Sequence, residues 1–238
     1  MTALPVLCCP PAGAGPSFFN AWTRASGLLR IVPVELPGRE RRFTEPLHTD
    51  LATLLPQLLH ELDPAIVRAP RLVVFGHSFG AVLGYELVHA LRARDRAQRL
   101  VLVASGSPEP GTPRPGRLTG LPDDEFVATL RRITGHHDPA LDDPELRQLV
   151  LPIVRADVEA HERYRPHAGR EPLDVPVVAA RGRRDALVSA GELAGWAAVT
   201  TGEFRAVEFD GGHMYPVDGW RRVLRLLESV LFAPVVAQ

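Results

Sequence analysis

The sequence predicts an α/β protein: a mostly parallel sheet with helices on both faces. Three observations predict it. Short apolar runs alternate with longer segments of helical periodicity along the chain. The strand-like runs are continuously apolar rather than alternating, as expected where both faces of a sheet are covered. One of them, residues 71–75, runs into Gly76-His77-Ser78-Phe79-Gly80 and then into a helical segment. Strand, sharp turn and helix is the context that presents a serine at a strained turn.

In chain order, Leu4–Cys9 reads as a strand and 17–26 as a helix. Residues 29–36 form a strand whose proline suits an edge position. Residues 49–62 are amphipathic, with Leu51, Leu54, Leu55, Leu58 and Leu59 on one face. Strand 71–75 is bounded by Pro70 and Gly76, helix 79–92 follows, and 99–104 is another strand. Residues 175–180 read as the next strand, 189–198 as a helix and Phe204–Phe209 as a strand. Helix 217–231 closes the pattern, with Trp220, Val223, Leu224, Leu227 and Leu231 as its apolar positions. No internal repeat is visible, so a single domain spanning 1–238 is expected.

One interval breaks the rhythm. Seventy residues, 105 to 174, separate two strands, where a crossover needs about a dozen. The interval begins proline-rich (Pro108, Pro110, Pro113, Pro115) and continues as helices over 123–132 and 144–164. Because ligands bind at the carboxyl edge of such sheets, an insertion leaving that edge, about 108–170, reads as a lid.

Composition bounds the function. A formal net charge of −1 gives no support for nucleic-acid binding. All 27 basic residues are arginine, which leaves no lysine for a Schiff base or general base. Cys8 and Cys9 are adjacent, where a disulfide is strained, and they end an apolar strand, so they read as buried structural thiols in a reducing cytoplasm. No metal-ligand spacing appears, and no metal or organic cofactor is expected. No basic region precedes an apolar stretch at the N-terminus, and no apolar run reaches the roughly 18 residues a membrane span needs, so neither a secretory signal nor a membrane anchor is expected.

The serine carries the chemistry. Its hydroxyl is a poor nucleophile without a base, most often a histidine oriented by a carboxylate. In this type of fold the chain order is serine, acid, histidine. Asp185, after strand 175–180 and the turn Arg181-Gly182-Arg183-Arg184, is the expected acid, although three arginines beside it allow a merely solvated turn residue. Asp174 precedes its strand and Asp210 sits on the wrong one. His213, in Asp210-Gly211-Gly212-His213-Met214 after the last strand, is the expected base. His48, His60, His89, His161 and His167 read as ordinary solvated residues, and His77 as a packing residue. An oxyanion hole needs two backbone N–H donors. Phe79 supplies one. The loop Cys9-Pro10-Pro11-Ala12-Gly13-Ala14-Gly15 supplies the other, from Ala12 or Gly13, because proline has no N–H.

Together these pieces resemble the type II thioesterases of polyketide synthase and nonribosomal peptide synthetase pathways, which have the α/β-hydrolase fold. Cys9-Pro10-Pro11-Ala12-Gly13 is similar to the family's oxyanion loop, and Leu36-Pro37-Gly38-Arg39-Glu40-Arg41-Arg42-Phe43 to its distinctive Leu-Pro-Gly-Arg-Glu segment. Gly76–Gly80 matches the nucleophile turn, with Phe79 where methionine is commoner. Residues 121–126 and 151–157 look like lid helices, and Gly211-Gly212-His213 like the histidine loop. Pro11 and Ala14 depart from the usual aromatic or histidine and second glycine. The resemblance implies a serine hydrolase that removes acyl groups from the phosphopantetheine thiol of an acyl or peptidyl carrier protein; a monomer is the default expectation. Ala12 and Phe79 would form the oxyanion hole, and Arg114, Arg117, Arg131 and Arg132 would be available to steer an acidic carrier. A carboxylesterase and an acyltransferase of the same serine-nucleophile class are the alternatives.

Overall fold

The computed structural model describes residues 3–62, 66, 69–94, 99–112 and 116–232. Among them a six-stranded sheet runs in the order β2-β1-β3-β4-β5-β6, and every neighbouring pair is parallel. The strands are β1 (Leu4–Cys9), β2 (Leu29–Pro33), β3 (Arg71–His77), β4 (Arg99–Ser105), β5 (Val177–Gly182) and β6 (Phe204–Phe209). The helices are α1 (Asn20–Ala25), α2 (Leu51–Glu61), α3 (Phe79–Arg94), α4 (Asp123–Thr134), α5 (Pro144–Arg163), α6 (Ala190–Ala194), α7 (Tyr215–Asp218) and α8 (Trp220–Phe232).

Side chains of the central strands divide between two cores, which is why these strands are apolar throughout. Leu7, Cys9, Leu72 and Val74 pack on one face with α2 and α3. Val6, Cys8, Val73 and Phe75 pack on the other with Trp22 of α1 and Val223, Leu224 and Leu227 of α8. The edge strand β6 is less covered, and none of its residues is fully buried.

Most expected elements form, with differences at their ends. β2 stops at Pro33, at the sheet edge, rather than at residue 36. β5 begins at Val177 rather than 175, because Pro176 has no N–H for the ladder and only its carbonyl is used, by Leu102 N–H at 3.0 Å. The expected helix 17–26 opens as a 3₁₀ turn, Pro16–Phe19, before α1. The expected terminal helix is two helices, α7 and α8, separated at Gly219. Cys8 and Cys9 are buried free thiols whose ionisation burial opposes strongly, so they are structural.

The strand order reverses at β1: the chain moves to β2 on one side, then to β3 and onward on the other. The crevice beyond the carboxyl ends of β1 and β3 is therefore the switch point where open α/β sheets bind ligands. The long interval lies over it. α4, α5 and the 3₁₀ turn Pro139–Leu141 carry a separate cluster of Phe126, Val127, Leu141, Leu151 and Val154. Pro113, Arg114 and Pro115 lie outside the described residues.

Candidate active site

Ser78 stands between β3 and α3 at φ +55°, one of two non-glycine residues with positive φ among the described residues. The strain is held by close packing on either side. A Cβ on Gly76 would overlap the carbonyl of Gly80, and one on Gly80 would overlap the carbonyl of Cys9 in β1. Ser78 N–H donates to Ser105 O at 2.7 Å, which ties the turn to β4. Phe79 is the first residue of α3, so its N–H has no partner within the helix.

Beyond β1 the loop spends two of its N–H donors. Gly13 N–H donates to Asp157 Oδ2 at 2.8 Å, and Ala14 N–H donates to Pro11 O at 3.1 Å. Pro10 and Pro11 have none. Of the pair left open by sequence, Gly13 is thus engaged elsewhere, whereas Ala12 lines the cavity above Ser78.

Asp185 and His213 come together from successive strands. Asp185 N–H donates to Gly182 O at 3.0 Å, closing a turn after β5. Its Oδ1 accepts from Leu187 N–H at 2.8 Å, and its Oδ2 lies 3.0 Å from His213 Nδ1. Both side chains are sealed from water, at 0% and 2% exposure. Gly182 allows this approach, since a Cβ there would overlap the carbonyls of Gly211 and Gly212 in the histidine loop. The neighbouring arginines turn elsewhere: Arg181 pairs with Glu208, and Arg183 lies near Glu208 and Asp210. The competing carboxylates are exposed and paired with arginine, Asp174 with Arg92 and Asp210 with Arg183 and Arg222.

A second polar chain, which local sequence did not signal, lies beneath the imidazole. His77 Nδ1 is 2.8 Å from Ser105 Oγ, and Ser105 Oγ is 2.6 Å from Tyr215 Oη. The His77 ring lies 5.1 Å from that of His213, and burial holds His77 neutral, well below the usual histidine range. Tyr215 also stacks on Phe209 of β6, with ring centroids 4.9 Å apart. The expectation that His77 packs rather than reacts accords with this position.

Two other histidines depart from expectation. His161 is not a solvated residue: α5 carries it onto the cavity wall, its ring 5.8 Å from Phe79. His89 is half-buried against Tyr85, and desolvation depresses its pKa to about 4.

Ser78, Ala12 and His213 border one cavity of about 540 Å³. Much of its remaining wall comes from the long interval and is apolar, including Leu118, Leu130, Leu141, Val154 and Val158. Arg131 also lines it and pairs with Asp142 at 2.5 Å, whereas Arg117 and Arg132 are exposed. Arg114 lies outside the described residues. Among the described residues no cluster of His, Cys, Asp and Glu could hold a metal ion, and no helix is long and apolar enough to cross a membrane.

A parallel sheet with a strained serine at its switch point is the architecture of an α/β-hydrolase-fold enzyme. A family model described as a thioesterase domain matches residues 4–231, and the chain belongs to that family of hydrolases. It is 33% identical over 224 residues to thioesterase PikA5 of Streptomyces venezuelae, a match covering 93% of this chain and 79% of that protein. Among solved structures it is similar to BorB, described as a type II thioesterase from the borrelidin biosynthetic cluster. The two share 32% identity and a TM-score of 0.85, over 97% of this chain and 93% of BorB. RedJ, a thioesterase from the prodiginine biosynthetic pathway in Streptomyces coelicolor, is 31% identical with a TM-score of 0.84, over 95% of this chain and 89% of RedJ.

Proposed function

We propose that this protein is an editing thioesterase that hydrolyses acyl groups from the phosphopantetheine thiol of an acyl or peptidyl carrier protein. The observation that carries the reading is a strained serine and His213 bordering one largely apolar cavity, with buried Asp185 behind the histidine. His213 accepts the Ser78 proton through Nε2 as Oγ attacks the thioester carbonyl. Asp185, at Nδ1, holds the tautomer and stabilises the imidazolium without taking the proton. The N–H groups of Ala12 and Phe79 receive the oxyanion, and the N-terminal dipole of α3 favours the same charge. The thiol leaves readily because its pKa is about 8.5. His213 then activates the water that releases the acyl group from Ser78.

The apolar wall suits an acyl chain, and the interval that supplies it, about 108–170, acts as a lid. The family match over residues 4–231 supports one catalytic domain, read here as a monomer. Two free cysteines suit a reducing cytoplasm. The test is mass spectrometry of acylated carrier proteins incubated with wild type and with Ser78→Ala. Acyl loss with wild type alone is expected, and loss that persists in Ser78→Ala refutes the mechanism. Faster turnover of a matched oxygen ester would mark an esterase. Transfer of the acyl group to an added acceptor thiol, with no free acid formed, would mark an acyltransferase.

A further inference from the structure

We propose that Arg39 and Asp157 are positioning residues that set the oxyanion loop from the lid helix, so that full transition-state stabilisation requires α5 to be docked. The inference rests on the reading of Ala12 as an oxyanion donor.

Asp157 lies on α5, and Arg39 follows β2, 118 residues away in sequence. They form a two-pronged ion pair, Nη1 to Oδ2 at 2.5 Å and Nη2 to Oδ1 at 2.8 Å, with side chains only 6% and 3% exposed. The pair does more than join two elements. Asp157 Oδ2 also accepts the Gly13 N–H at 2.8 Å, and Arg39 Nη1 donates to Ala14 O at 3.1 Å. Arg39 Nε reaches back to Pro37 O at 3.4 Å. Two of the three peptide groups after Ala12 are therefore gripped by the pair, Ala12–Gly13 through its N–H and Ala14–Gly15 through its carbonyl, while the Ala14 N–H between them turns back to Pro11 O.

Steric contact reinforces the grip. One turn before Asp157 on the same face of α5, Val154 lies where a Gly13 side chain would be, since a Cβ there would come within 2.5 Å of Val154 Cγ2. Gly13 has φ +81°, a conformation open to glycine. The lid helix thus packs and hydrogen-bonds directly onto the loop whose preceding residue faces the reacting carbonyl. Moving α5 away would strip Gly13 of its acceptor and Arg39 of its counter-ion, both costly in a buried setting. The loop would then be free to turn the Ala12 N–H from its aim. Substrate that draws α5 down would at the same time complete the oxyanion hole.

The test compares wild type, Asp157→Asn, Arg39→Lys and Ser78→Ala on an octanoyl thioester of N-acetylcysteamine. Two ligands with the same acyl chain are added. A trifluoromethyl ketone forms an oxyanion adduct with the serine, and a thioether with CH₂ in place of the carbonyl cannot. Loss or misplacement of one oxyanion donor costs about 10²-fold, so kcat is expected to fall roughly 10- to 100-fold in both positioning variants, with KM little changed. Ketone affinity should fall by the same factor, and thioether affinity should hold. Unchanged kcat, or equal loss of both ligands together with a lowered melting temperature, would overturn the proposal. Arg39→Lys keeps a cation beside Asp157 and decides the matter if Asp157→Asn does not fold. Undiminished turnover in Ser78→Ala would instead refute the underlying serine mechanism.

Discussion

Asp185 Oδ2 lies 3.0 Å from His213 Nδ1, with both side chains closed to solvent. An ionised aspartate so placed accepts from Nδ1–H, which leaves Nε2 free for the role of base in the proposed mechanism. Asp185→Asn keeps the shape but removes the charge and allows the wrong tautomer. In the proposed mechanism kcat on a small thioester should fall about 10⁴-fold. Asp174→Asn and Asp210→Asn, whose carboxylates are exposed on the surface, should leave it unchanged. Steady-state kinetics of the three variants checks this.

Gly182 joins the acid strand to the histidine loop. A methyl group there would overlap the carbonyls of Gly211 and Gly212. Gly182→Ala should therefore lower kcat by displacing His213 and cost roughly 1–3 kcal/mol of stability, as overpacking does. Gly27 has nothing within 4 Å of the same position and no positive φ, so Gly27→Ala should be neutral or slightly stabilising. Urea denaturation of both variants, with kinetics, separates the two cases.

Tyr215 anchors the histidine loop through its hydroxyl on Ser105 and its ring on Phe209. Tyr215→Phe keeps the stack and removes the hydroxyl from a buried chain of three groups. A loss of about 1–2 kcal/mol is expected from chemical denaturation, the scale of one buried hydrogen bond.

Acid should destabilise the protein through His77 and His89. Both have folded pKa values below the ordinary histidine value near 6.5, that of His89 at about 4. Below pH 6.5 the unfolded chain binds protons that the folded chain refuses. The stability they contribute is therefore full above that pH and is lost as pH falls toward the folded values. Urea midpoints should drop between pH 7 and pH 5, and His89→Gln should flatten that slope.

The strained serine was legible because its signal is local. Five consecutive residues between an apolar strand and a helix specify the turn, and the two glycines meet carbonyls that follow from that turn and from the adjacent strand. His213 stands out because one histidine follows the last strand, and its pairing with Asp185 agrees with that position. Chain order alone does not separate Asp185 from Asp174 and Asp210; its place after the strand that precedes the histidine strand does, and only packing shows that Arg181 and Arg183 turn to Glu208 and Asp210. Pro33 lies in an edge strand as its missing N–H demands, whereas Pro176 delays the start of β5 to Val177 because the ladder there needs an N–H. His161 read as solvated because its exposure depends on how α5 lies over α3, and no period in the sequence encodes that.

The sequence alone determined what is short-range: the alternation that makes a parallel sheet, the turn that strains Ser78, and the placing of Asp185 and His213 just after successive strands. These follow from residue size, backbone freedom and hydrophobic period within a few neighbours. Tertiary structure alone decided which donors of the loop after β1 are engaged, the chain of hydroxyls beneath His213, and the union of Arg39 with Asp157. Each depends on a side chain brought from tens or more than a hundred residues away. Charges and hydrogen bonds act over a few ångströms of space, and only the finished packing sets that distance.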